Sequence, residues 1–107
     1  MDKKQDPSIE KEFAGFISQT KKEFSPKKII LFGSRARGDN KLYSDYDLII
    51  VSDKFKDVKW HKRIEEVVKN WPLDKDIDVL PYTPEEYKQK KKERTMVREA
   101  AEDGIML

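Results

Sequence analysis

The chain has no cysteine, which excludes disulfides and thiolate metal sites. Its only histidine, His61, stands beside Lys62 and Arg63 on a polar helix start, the place of a surface residue. No run approaches the ~20 apolar residues of a membrane helix. The N-terminal MDKKQDPSIEKEF has no apolar core like that of a secretory signal. Together these absences give a cytoplasmic expectation. An excess of one charge is missing too: 23 Lys and Arg against 21 Asp and Glu leave a net charge of +2, which argues against a general nucleic-acid field. Apolar residues are only 36% of the chain. They gather in short runs, which suits a compact core under a very polar surface rather than disorder. That Lys/Glu-rich surface, with 41% charged residues, is also compatible with a thermophile. A length of 107 residues suffices for one small domain, expected over 1–107.

What is present alternates between helix and strand patterns. Asp6-Pro7-Ser8 reads as a helix start. Ile9, Phe13, Phe16, Ile17 and Phe24 then form an apolar stripe at helical spacing, which Ser25-Pro26 ends. KIILF over 28–32 reads as a strand, Gly33 as a sharp turn, and 34–37 as a short helix closed by Gly38. Residues 39–43 read as loop. YDLIIV over 46–51 reads as a strand buried on both sides. A helix is expected from about Asp57 to Trp71, its inner face formed by Val58, Ile64, Val67, Val68 and Trp71, with Pro72 as the stop. DIDVLPY over 76–82 reads as a third strand whose alternation puts Asp76, Asp78 and Leu80 on one face. Thr83-Pro84-Glu85-Glu86 opens a last helix that runs, whole or broken, to Asp103, where Gly104 ends it. Ile105 to Leu107 is left as a small apolar tail suited to a dimer or partner contact. The expected fold is α/β (α+β), with a small sheet of about three strands flanked by helices and a site at the strand ends.

The chemistry concentrates in LFGSRARGDNKLYSDYDLIIV, residues 31–51. Asp45 and Asp47 are two apart at a strand entrance, so both face one way, with Cα atoms roughly 6.5–7 Å apart. Mg²⁺ takes one or two such carboxylates together with substrate phosphates, and a cation relieves the repulsion between them. Asp78, flanked by Ile77 and Val79, is preferred as a third carboxylate; Asp76 shares its face and remains a rival. The bland alternative makes Asp45 a turn residue and Asp47 a capping or edge residue. Gly33 allows close approach of a phosphate, and Ser34 can donate its hydroxyl at a helix start. Arg35 and Arg37 can add charge-assisted hydrogen bonds to phosphate; the alternative for both is solvent, or pairing with Asp39 and Asp45.

Gly33-Ser34, ten intervening residues and then Asp45-x-Asp47, within GSRARG and SDYDLIIV, resemble the DNA polymerase β-like nucleotidyltransferase superfamily. In size and motif the chain is similar to the minimal nucleotidyltransferases, small proteins often encoded beside a HEPN-domain partner as an antitoxin–toxin pair. The resemblance covers nearly the whole chain. It implies a mixed-sheet, polymerase β-like palm, with Gly33 and Ser34 holding the triphosphate of ATP. It further implies Mg²⁺, as one or two ions, on Asp45, Asp47 and Asp78. The implied reaction is attack of an acceptor hydroxyl on the α-phosphate, with pyrophosphate leaving; in the antitoxin branch the acceptor is a tyrosine of the HEPN toxin. A second lobe of the kind larger relatives carry is not seen, so a partner protein is expected.

Two competing functions remain open: an antitoxin that acts by occlusion with a relic site, and RNA binding through the tract at 88–92. Glu85, Glu86 and Glu93 flank that tract, which fits a solvated helix face better. Trp60 and Trp71 read as core or interface aromatics. Tyr43 and Tyr46 border the site.

Overall fold

A computed structural model describes residues 7–38 and 45–107, with side chains from Lys11 onward within those ranges. The readings made for Asp6, for the side chain of Ile9, and for residues 39–44, Tyr43 included, lie outside the described residues. The chain runs α1 (Pro7–Phe24), β1 (Lys28–Phe32), α2 (Ser34–Arg37), β2 (Tyr46–Val51), α3 (Trp60–Val68), β3 (Ile77–Tyr82), α4 (Pro84–Glu93), α5 (Thr95–Asp103) and β4 (Ile105–Met106). The sheet order is β3-β2-β1-β4. β1 is antiparallel to both β2 and β4, while β2 and β3 are parallel. Among the described residues no helix is long and apolar enough to cross a membrane.

Side chains alternate along each strand, so one sheet builds two cores. Ile29, Leu31, Tyr46, Leu48, Ile50 and Val79 pack with Phe16, Ile17 and Phe24 of α1 and Val67 of α3. Ile30, Ile49, Val51 and Tyr82 point the other way and meet Tyr87 of α4 and Val97 and Ala100 of α5. Burial on both faces explains why YDLIIV is almost continuously apolar.

The sheet has four strands, where about three were expected. The tail read as a loose contact is β4, in which Ile105 and Met106 pair with Leu31 and Ile30. Two residues are too few for a propensity signal; the pairing follows from the way α5 closes. At Gly104 an added Cβ would meet the Ala100 carbonyl and the Ile30 side chain, each at 2.5 Å, so only glycine lets α5 come this close to β1. α3 is also shorter than expected. A 3₁₀ turn at Asp53–Phe55 precedes it, and it ends at Val68. Trp71, beyond that end, still packs in the core, its Nε1–H donating to the Lys75 carbonyl at 2.7 Å. The last helix is broken at Arg94, which ends α4 and starts α5.

Arg63, a residue of the expected polar helix start, is buried. Its guanidinium donates to the carbonyls of Val58 and Pro81 at 2.8 and 3.0 Å and forks onto Glu86 at 2.6 and 3.2 Å. Glu86 also closes the capping box with Thr83 at the start of α4. This knot ties α3, β3 and α4 together at the sheet end away from Asp47 and Asp78.

Candidate active site

The turn after β1 is shaped by one glycine. Gly33 has φ +77°, and a Cβ placed on it would strike Oδ2 of Asp47. Both the backbone conformation and the neighbouring carboxylate therefore require glycine there. The first hydrogen bonds inside α2 run from the N–H groups of Ala36 and Arg37 to the Gly33 carbonyl. The Ser34 amide lies ahead of that ladder, at the start of the turn. Gly38, at φ +81°, closes α2 in the left-handed conformation.

Register assembles the carboxylates. Phe32 of β1 pairs with Asp47 of β2, and Asp47 pairs with Asp78 of β3, so Phe32, Asp47 and Asp78 form one row across three strands. The row lies on the sheet face that α4 and α5 cover farther along. Asp45, just before β2, is exposed and in phase with Asp47. Asp76 lies before β3, and its carbonyl accepts the Tyr46 N–H at 3.0 Å.

Asp47 shows the strain of this arrangement. Burial, the charges of Asp78 and Asp45, and a hydrogen bond with Asp78 push its carboxyl up to about 6, while Arg37 pulls it down. Carboxylates gathered with too little positive charge favour the protonated form. Among the described residues no group of three acidic, imidazole or thiol side chains is placed to hold a metal ion. In its chemistry the donor set nevertheless fits Mg²⁺: the hard carboxylate oxygens of Asp47 and Asp78 share one sheet face beside the cleft.

The two arginines part company. Arg37 is exposed and borders the same cleft as Gly33 and Asp47. Arg35, grouped by sequence with the phosphate contacts, is only 7% exposed, and its guanidinium lies 3.9 Å from the centroid of the Tyr46 ring. Tyr46 faces the α1 side of the sheet, stacked on Phe13 at 4.9 Å and edge-on to Trp71 at 5.2 Å. Arg35 thus packs on the face away from Asp47, because neighbours on a strand point to opposite sides.

The cleft at Gly33, Arg37 and Asp47 holds about 460 Å³ and reaches to α5. Sequence reading missed the α5 side. Its residues recur at helical spacing, but nothing in that spacing says which element the stripe faces.

The sequence of residues 11–105 matches the model of the nucleotidyltransferase domain family. The chain belongs to that family. Transfer of a nucleotidyl group is the general activity of this nucleotidyltransferase, and such domains generally use a nucleoside triphosphate and a divalent metal. The fold agrees. A crystal structure of a candidate nucleotidyltransferase from Sulfolobus solfataricus is similar at TM-score 0.59 and 21% identity, over 96% of this chain and 87% of that one. BolA1 from Arabidopsis thaliana is similar at TM-score 0.56 and 17% identity, over 70% of this chain and 94% of its own. At such identities the likeness is one of fold alone. No curated protein matches the sequence closely enough to count as a relative.

Proposed function

We propose that this nucleotidyltransferase transfers AMP from ATP, with Mg²⁺, to a hydroxyl of an acceptor protein. The acceptor in this reading is a tyrosine of a HEPN-domain toxin, which makes the chain an antitoxin. The observation that carries the transfer reading is the pairing of Asp47 with Asp78, set against the Gly33 turn. The antitoxin role and the acceptor are supported by the likeness of GSRARG and SDYDLIIV to the minimal nucleotidyltransferases.

Asp45, Asp47 and Asp78 would hold Mg²⁺, which when bound neutralises triphosphate charge and orients the displacement. The chain's own groups do the rest. Gly33 admits the triphosphate to the turn, Ser34 donates to a phosphate oxygen, and Arg37 adds a charge-assisted hydrogen bond. Asp78 accepts the proton of the attacking hydroxyl. The acceptor oxygen bonds the α-phosphorus as the bond to pyrophosphate breaks.

The test is transfer of label from α-labelled ATP, with Mg²⁺, to the purified protein and to the product of the neighbouring gene, beside an Asp45→Asn/Asp47→Asn variant. Label on the neighbour that disappears in the variant supports the reading. Label on neither, with the variant still neutralising the neighbour, replaces it with neutralisation by occlusion.

A further inference from the structure

The cleft that begins at Asp47 continues to α5, and its size of about 460 Å³ lies in the range of small-ligand sites. The α5 side is a single helical stripe. Met96, Glu99, Ala100 and Asp103 stand at i, i+3, i+4 and i+7, and all four line the cleft. Opposite them is Phe32, the cross-strand neighbour of Asp47, which packs against the α4–α5 core. Met96 is 51% exposed, a flexible and polarisable side chain on that wall.

Charge decides what can sit there. Asp47, Glu99 and Asp103 outnumber Arg37 around the cleft, so the α5 end disfavours a bare anion and favours a neutral group rich in hydrogen-bond donors. A nucleoside is such a group. A triphosphate held at Gly33 and Asp47 leaves its sugar and base to follow the same cleft.

We infer that the α5 stripe is the nucleoside wall of the site. Phe32 and Met96 flank the base, and the Glu99 carboxylate accepts from an exocyclic amine, which selects adenine over a base carrying an oxo group there. The inference rests on the triphosphate site proposed above.

Titration of the full chain with Mg·ATP, Mg·ITP and magnesium tripolyphosphate tests it. ITP carries an oxo group where ATP has its amine. Wild type is expected to bind ATP more tightly than ITP, and both more tightly than tripolyphosphate. Met96→Ala is expected to weaken both nucleotides about fivefold while leaving tripolyphosphate unchanged, and Glu99→Ala to remove most of the ATP-over-ITP preference. Both side chains are exposed, so both variants are expected to fold, with melting curves as the check. Unchanged nucleotide binding in both variants overturns the inference and leaves the phosphate site standing. Failure of wild type to bind any of the three ligands overturns the triphosphate site itself.

Discussion

The Arg35 guanidinium lies 3.9 Å from the centroid of the Tyr46 ring, while the carboxyls of Asp45 and Asp47, on either side of Tyr46 in the chain, face the other side of the sheet. Arg35 therefore joins the α2 turn to β2 from behind. A cation–π contact with this little exposure contributes on the order of 1–2 kcal/mol. Arg35→Gln is expected to lower Tm and kcat with little change in KM for Mg·ATP. Arg37→Gln is expected chiefly to raise KM, about tenfold. Steady-state kinetics beside melting curves separate the two roles.

Asp47 makes stability depend on pH and metal. Its carboxyl is raised from 3.8 to about 6. The folded chain thus holds the proton more tightly than the unfolded chain does. The contribution of Asp47 to stability is full below 3.8 and is lost as pH rises through about 6. Without metal, Tm is expected to fall across that window. Mg²⁺ favours the ionised carboxylate and is expected to raise Tm more near pH 7.5 than near pH 5. Asp47→Asn is expected to flatten the pH dependence, raise Tm without metal at neutral pH, and remove transfer. Thermal melts with and without Mg²⁺ across pH read the first two, and labelled product from α-labelled ATP reads the third.

At Gly33 the structure leaves no room. Gly33→Ala must bear a positive φ and displace the Asp47 carboxyl. A displacement of this order at a reacting centre lowers the rate by about 10²-fold. The expected result is loss of transfer with the fold retained, measured as labelled product beside circular dichroism.

Arg63 and Glu86 carry a prediction about stability alone. Arg63→Ala leaves Glu86 without its fork and frees the Val58 and Pro81 carbonyls, at a cost of about 2–3 kcal/mol. Hydrogen bonding to Arg63 holds the Glu86 carboxyl below its ordinary 4.5. Its contribution is therefore present above that value and lost as pH falls through the lowered one. Arg63→Ala is expected to lower Tm at pH 7 and to weaken the acid-induced loss of stability in wild type.

The sequence by itself determined the order of the elements as far as α5 and singled out the glycine turn and the carboxylate pair. Short, continuous apolar runs mark β1 and β2, alternation marks β3, helical stripes mark α1 and α3, and the Thr83 capping box marks α4, because these signals are local. Gly33-Ser34 and Asp45-x-Asp47 were legible for the same reason. Only the tertiary structure decided the rest. Register placed Asp78 rather than Asp76 beside Asp47, a pairing that no spacing within one strand encodes. Opposite facing of adjacent residues in β2 put Tyr46, and with it Arg35, behind the site. Close approach at Gly104 turned a three-residue tail into β4. Each depends on contact between segments far apart in the chain, where local propensity carries no information.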